Sequence, residues 1–115
     1  MTRSLAQKIT DSLLSNTAYH VTTTSSAHSA QQNGIMPHVP EDSPNDPEAV
    51  YLFPDMESVD NALMNWLGDR FAEDEPLSVL AIDTTGLRIV PGGANYELIS
   101  YDPVPPENIL RSEPV

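Results

Sequence analysis

Two short apolar stretches decide the fold of this chain. Residues 18–23 read Ala-Tyr-His-Val-Thr-Thr, and residues 49–53 read Ala-Val-Tyr-Leu-Phe. The first stretch is rich in β-branched and aromatic residues, and its alternation puts His20 and Thr22 on the less apolar face. The second stretch is apolar on both faces, which is typical of a buried strand. Both stretches are therefore predicted to be β-strands.

Helical patterns lie before and between these strands. Residues 1–16 carry Leu and Ile at every fourth position, which predicts an N-terminal amphipathic helix. A short second helix follows the first strand, with Ser25 or Ser26 as its N-cap and Gly34 as the left-handed residue that ends it.

A third helix, predicted over residues 58–67, has the clearest apolar stripe in the chain. Asp55 or Ser58 is predicted to cap it, and Gly68 is predicted to end it. Its apolar face packs either into the protein's own core or against a second copy, so a homo-oligomer formed through residues 58–67 is one expectation.

The second half of the chain is predicted to consist mainly of strands. The predicted strands span residues 78–83, 87–90 and 95–101, and a single turn follows at residues 107–110. Residues 36–47 hold four prolines among polar residues and are predicted to form a loop. Because the predicted helices come early in the chain and the strands come late, the pattern indicates an α+β fold with a mixed or antiparallel sheet. The chain is predicted to form one domain over residues 1–115, with its core at residues 17–110.

Composition narrows the classes of function. The 115 residues include 17 acidic and 5 basic ones, a formal net charge of −12, and no cysteine. Disulfides, thiolate metal sites and a cysteine nucleophile are excluded. Direct nucleic-acid binding and membrane-surface binding are disfavoured because both need clustered cations. With no apolar run of about 18 residues and no apolar leader, the protein is predicted to be cytoplasmic.

The acidic residues are spread along the whole chain, and Lys8 is the only lysine. Acidic side chains that are dispersed along the chain keep a protein hydrated in concentrated salt, where screening also weakens the repulsion between those side chains. A salt-adapted host or one of its viruses is one interpretation. An ordinary acidic protein and a surface that imitates DNA are the alternatives.

Candidate chemistry is restricted to polar groups on strands. The common phosphate-binding, zinc-protease and serine-hydrolase motifs are absent, and the spacing of the three histidines predicts no metal site. His20, Tyr51 and Glu97 remain, each on a predicted strand. Each also has a purely structural interpretation: His20 as a histidine whose hydrogen bonds are made within the protein, Tyr51 as a core residue, and Glu97 as a solvent-facing residue of an edge strand.

The chain resembles ADP-ribosyltransferase-like domains. Residues 19–22 (Tyr-His-Val-Thr), 33–35 (Asn-Gly-Ile) and 50–53 (Val-Tyr-Leu-Phe) look like the opening of such a domain. Residues 95–99 (Asn-Tyr-Glu-Leu-Ile) and the Pro-rich residues 103–109 resemble its closing strand and tail. The order of His, Tyr and Glu is similar to that in the diphtheria-toxin and poly(ADP-ribose) polymerase branch.

The resemblance implies NAD as the ligand and His20, Tyr51 and Glu97 as the catalytic set. His20 would hold the nicotinamide ribose, and Tyr51 would line the nicotinamide pocket beside Val21 and Thr22. Glu97 would bind a ribose hydroxyl and support an oxocarbenium-like transition state as nicotinamide leaves.

Two functions follow. The first is a small ADP-ribosyltransferase-like enzyme that modifies a protein or nucleic acid. The alternative is a non-enzymatic acidic protein, viral or an inhibitor in host defence, whose acidic face binds a protein partner or imitates DNA. In that case the carboxylates of Glu73, Asp74 and Glu75 would contribute to association.

Overall fold

Three helices and two three-stranded antiparallel sheets make up the described part of the chain. The structure is a computed structural model that describes residues 4–40, 44–92 and 98–115. In chain order its elements are α1 (Leu5–Ser15), β1 (Thr17–Thr23), α2 (Thr24–Asn33), β2 (Val50–Leu52), α3 (Met56–Asn65), β3 (Leu77–Asp83), β4 (Ile89–Pro91), β5 (Leu98–Ser100) and β6 (Ile109–Pro114). Single 3₁₀ turns lie at Leu67–Arg70 and Pro106–Asn108. The α+β prediction is confirmed.

The two sheets meet at one backbone pair. One sheet has the order β1-β3-β6 and the other has the order β2-β5-β4. Tyr19 of β1 and Phe53, just after β2, exchange both backbone hydrogen bonds, at 2.9 and 2.8 Å. Continuing that antiparallel register by two residues would bring Val21 opposite Tyr51. No backbone pairing continues there among the described residues, so the two strands separate at this point.

Two apolar clusters lie on opposite faces of the sheets because side chains alternate along each strand. One cluster contains the buried residues of α3 and the 3₁₀ turn after it, with one face of β1, β2 and β3. The other contains Ala27 and Ala30 of α2, with the opposite faces of the same strands. Val59 and Ala62 of α3 are covered by the chain's own core.

The start of α2 differs from the prediction. Thr23, rather than Ser25 or Ser26, is the N-cap, and its hydroxyl accepts a hydrogen bond from the backbone N–H of Ser26 at 3.2 Å. The helix therefore begins directly where β1 ends. Gly34 ends the helix as predicted, with φ of +80° and its N–H donating to the Ala30 carbonyl at 2.7 Å.

The cap of α3 is confirmed and its end is corrected. Asp55 Oδ1 accepts a hydrogen bond from the backbone N–H of Ser58 at 2.8 Å. The helix ends at Asn65 rather than continuing to Gly68, because Trp66 leaves the helical conformation with φ of −153°. Gly68 then lies inside the following 3₁₀ turn.

The C-terminal segment contains a strand that the sequence did not predict. Instead of a single turn at residues 107–110, a 3₁₀ turn leads into β6, which pairs with β3 as far as Pro114. Backbone pairing with the sheet therefore extends beyond residue 110. The predicted strand at residues 95–101 is present as β5, and its residues 95–97 lie outside the described residues.

The predicted strand at residues 87–90 forms slightly later, as β4 over Ile89–Pro91. Within the described ranges, none of the helices combines the length and the apolarity needed to cross a membrane.

Candidate functional site

A cleft opens where β1 and β2 separate. Its main cavity has a volume of about 550 Å³, and a second cavity of about 220 Å³ adjoins it. The two cavities share three lining residues, His20, Thr22 and Ser26. The main cavity is further lined by residues of β1, β2, the loop before β2 and the 3₁₀ turn after α3: Val21, Thr23, His38, Val39, Pro40, Tyr51, Phe53, Leu67, Arg70 and Phe71.

The imidazole of His20 occupies the point of separation. Its Nδ1 lies 2.9 Å from the backbone carbonyl oxygen of Tyr51. Because a carbonyl only accepts, Nδ1 carries the hydrogen and donates it. The side chain therefore makes the link to β2 that the backbone of β1 no longer makes.

Burial keeps this imidazole neutral. His20 is only 9% exposed, and desolvation lowers its pKa below the usual 6.5, with a further lowering from the neighbouring His38. The hydrogen bond to Tyr51 acts in the opposite direction and is the smaller effect on this pKa compared with desolvation. A neutral ring with hydrogen on Nδ1 has a lone pair on Nε2.

Nε2 is the ring nitrogen of His20 that the hydrogen bond to Tyr51 does not use. His20 makes no second hydrogen bond within the described part of the chain, and the residue lines both cavities. Nε2 can therefore accept a hydrogen bond from a ligand hydroxyl or amide. A hydroxyl donor suits it better than a carbonyl group, which has no hydrogen to give.

Tyr51 lines the main cavity beside His20. The residue is buried, and its hydroxyl donates to the backbone carbonyl of Pro47. The ring of His38 packs edge-on to it, with centroids 5.9 Å apart and 68° between the planes. Burial raises the pKa of the Tyr51 hydroxyl, and the nearby Asp46 carboxylate raises this pKa further. The residue therefore remains a neutral phenol at neutral pH.

The lining of the main cavity also includes the aromatic residue Phe53 and the cation Arg70. Phe53 lies 6.2 Å from Trp66 between ring centroids, and the guanidinium carbon of Arg70 lies 4.8 Å above the Trp66 ring. None of the described residues that line the two cavities is Asp or Glu. In a chain of net charge −12, the described lining of the cleft is therefore neutral or positive.

The structure brings together four of the five residues predicted for the site. His20, Val21, Thr22 and Tyr51 all line the main cavity. Glu97 lies outside the described residues.

The five residues predicted for the site include neither His38 nor Arg70. His38 lies in the segment predicted to be a loop, residues 36–47, and it is exposed while also contacting Tyr51. Arg70 and Arg88 are the only basic residues between residues 9 and 110, and this scarcity of cations is the sequence signal that points to Arg70.

No group of three or more His, Asp or Glu side chains that could hold a metal ion occurs within residues 4–40, 44–92 and 98–115. Comparison with known proteins gave no match to a family model and none to a curated protein.

Proposed function

We propose that the cleft binds the nicotinamide riboside end of NAD and that the protein transfers ADP-ribose to a macromolecular acceptor. The observation that carries this proposal is the neutral His20, which lines the cavity and whose Nδ1 donates to the Tyr51 carbonyl, so that Nε2 keeps its lone pair. A ribose ring offers hydroxyl donors to such an atom. The residues that support the proposal are those that the resemblance assigns to nicotinamide riboside binding.

The dimensions and the lining of the cleft suit this ligand. A volume of about 550 Å³ lies within the range of small-molecule sites. The rings of Tyr51 and Phe53 offer flat apolar surface to the planar nicotinamide, and Thr22 adds a hydroxyl at the junction of the two cavities.

The proposed reaction breaks the bond between C1′ of the ribose and N1 of nicotinamide. The electron pair of that bond leaves with the ring, so nicotinamide departs neutral and positive charge develops on C1′. An oxygen or nitrogen atom of the acceptor then bonds to C1′ and releases its proton to solvent. Glu97 is the residue that we propose to stabilise the developing charge, and His20 fixes the ribose through a hydroxyl.

The test combines binding with turnover. Saturable binding of NAD is measured by ligand-observed NMR at low and at molar salt, and released nicotinamide is then quantified by chromatography. His20→Ala removes the proposed hydroxyl acceptor, and His28→Ala is the matched control because His28 is exposed on α2 and lines neither cavity. Circular dichroism verifies that each variant is folded.

We expect NAD binding in the wild type and in His28→Ala, and at least a tenfold weaker affinity in His20→Ala, about the effect of one lost hydrogen bond with its burial cost. Glu97→Gln should still bind NAD and lose nicotinamide release. Retained release in Glu97→Gln would contradict the role of that carboxylate. Absence of NAD binding by the folded wild type would overturn the enzyme proposal and favour the acidic interaction protein, to be tested by partner pull-down.

A further inference from the structure

We propose that the outer edge of β6 pairs with β6 of a second copy of this chain, so that two three-stranded sheets join into one six-stranded sheet. Among the residues that the structure describes, β6 pairs with β3 on one side, and no strand pairs with its other side. Such an edge presents backbone N–H and C=O groups with which a further strand can pair. None of the residues Ile109–Pro114 lines either cavity of the cleft, so this surface is independent of the proposed function.

The backbone hydrogen bond of Val115 shows which groups of β6 face outward. Its N–H donates to the carbonyl of Leu77 at 3.0 Å, and this pair continues the register of β6 on β3. Because bonded and non-bonded pairs alternate along an antiparallel ladder, every second residue back from Val115 also bonds to β3. Ser112 and Pro114 are the residues between, so their backbone groups face the open edge. Ser112 offers both an N–H and a carbonyl there, whereas Pro114 offers only a carbonyl.

The charged side chains of β6 are arranged so that the strand complements itself. Arg111 and Glu113 lie on either side of Ser112, and their side chains form an ion pair at 3.0 Å. When two antiparallel copies are centred on Ser112, Arg111 of each copy lies opposite Glu113 of the other. That position is a non-hydrogen-bonded pair, in which the Cα atoms approach to about 4.5 Å and opposite charges stabilise the pairing. Ser112 lies opposite itself, and the two copies exchange two backbone hydrogen bonds there.

The neighbouring two-fold registers are less favourable. Outward-facing residues lie opposite outward-facing residues, so the two-fold axis passes between two copies of the same residue. An axis at Arg111 or at Glu113 brings like charges into direct opposition. An axis at Pro114 leaves the central pair without a backbone donor. Within residues 111–114, Ser112 is therefore the position at which backbone bonding and charge pairing agree.

Exposed apolar residues flank the charged pair. Leu110 is 54% exposed at one end of the segment, and Val115 is 66% exposed at the other end. In an antiparallel pair each end of one strand meets the opposite end of the other, so Leu110 approaches Pro114 of the second copy. Leu110 is also the residue that the register of β6 on β3 skips. The missing N–H of Pro114 therefore falls where the ladder is already irregular.

The net charge of the chain sets the conditions for the test. A charge of −12 on each copy opposes association at a distance. At physiological ionic strength the screening length is about 8 Å, so most charges of one copy are screened from the other. The cross-strand pairs lie within that length. Association is therefore measured at physiological ionic strength.

The experiment follows the mass of the full chain by sedimentation equilibrium over about a hundredfold range of protein concentration. Arg111→Glu and Glu113→Arg each bring like charges together in a homodimer, whereas an equimolar mixture of the two variants restores opposite charges at both positions. Ser112→Pro removes the outward N–H and no bond to β3. Arg88→Glu and Glu73→Arg are the matched controls, because they make the same changes in net charge at exposed residues outside β6. Circular dichroism verifies that each variant is folded.

We expect a concentration-dependent dimer in the wild type and in both controls. Arg111→Glu, Glu113→Arg and Ser112→Pro should each weaken it by about tenfold or more. The mixture of the two charge variants should recover an affinity within about threefold of the wild type.

Three results would overturn the proposal. The first is a folded wild type that stays monomeric at every concentration. The second is a mixture of the charge variants that associates no better than either variant alone, or controls that weaken the dimer as much as the β6 variants do. The third is a dimer that the β6 variants leave intact and that Met64→Glu disrupts, which would place the contact on α3, where Met64 is 85% exposed.

Discussion

Replacing Gly34 by alanine tests how α2 is joined to the rest of the fold. Gly34 has φ of +80° and ψ of −172°, a conformation that is essentially restricted to glycine. An added Cβ would collide with the backbone carbonyl oxygen of Val104 and would lie 3.2 Å from Cδ of Pro106. The next residue, Ile35, exchanges two backbone hydrogen bonds with Val104, so neither segment can withdraw without losing that pairing. Gly34 also lines the smaller cavity.

Gly86 provides a matched control. Its φ is +82°, and an added Cβ there would meet no atom within 4 Å. Gly86→Ala therefore carries only the conformational cost of a positive φ, about 1–2 kcal/mol. Gly34→Ala carries a backbone cost of about 1–3 kcal/mol and an overpacking cost of about 1–3 kcal/mol, so we expect a loss near 3 kcal/mol or more.

The measurement is urea unfolding of the two variants and the wild type, followed by the fluorescence of the single tryptophan, Trp66. A loss in Gly34→Ala that exceeds the loss in Gly86→Ala by more than about 1 kcal/mol agrees with the collision. Equal losses for the two variants, within about 0.5 kcal/mol, would refute it and show that the Val104 segment gives way freely.

Three further outcomes can be measured. Burial lowers the pKa of His20, so the contribution of the neutral imidazole to the free energy of unfolding is complete above about pH 6.5 and declines as pH falls toward the folded-state pKa. The difference in unfolding free energy between wild type and His20→Gln should therefore change with pH between about 5 and 7. A difference that stays constant over that range would contradict this expectation. Asp55→Ala should lose about 0.5–2 kcal/mol in urea unfolding, with Asp55→Asn much closer to wild type; an unchanged midpoint in Asp55→Ala would show that the cap contributes nothing. Leu80→Ala, in a fully buried position of β3, should lose about 2–5 kcal/mol in the same assay, and a loss below about 1 kcal/mol would mean that the core there collapses onto the gap.

Local patterns predicted the elements around the cleft. The alternation of β1, the apolar run of β2 and the Asp cap of α3 are each encoded within a few neighbouring residues. The exact start of α2 was harder, because Thr23, Thr24, Ser25 and Ser26 are four hydroxyl residues in a row and any of them can cap a helix. Only the abrupt end of β1 selects Thr23.

The strand β6 could not be predicted because its residues argue against a strand when taken alone. It contains Arg111, Glu113 and Pro114, which are disfavoured in a sheet interior. An edge strand tolerates charge and proline, since one side of it faces solvent. Its pairing with β3 is a long-range contact, and no local pattern in residues 107–114 indicates its partner.

The candidate site also combines residues that local patterns identify with contacts that only the tertiary fold creates. His20 and Tyr51 were identified because polar groups on apolar strands need an explanation and because of the resemblance. The hydrogen bond between them depends on where β1 and β2 separate, which is a property of the sheets rather than of either strand. His38 and Arg70 reach the cleft from a loop and a 3₁₀ turn, whose positions follow from packing.

The most direct test of the central claim is ¹⁵N NMR of the His20 imidazole, with and without NAD, at neutral pH. The account predicts a neutral ring protonated at Nδ1 in the free protein, and a saturable shift of the Nε2 resonance as NAD is added. A charged ring, a ring protonated at Nε2, or an Nε2 resonance that does not respond to NAD would contradict it.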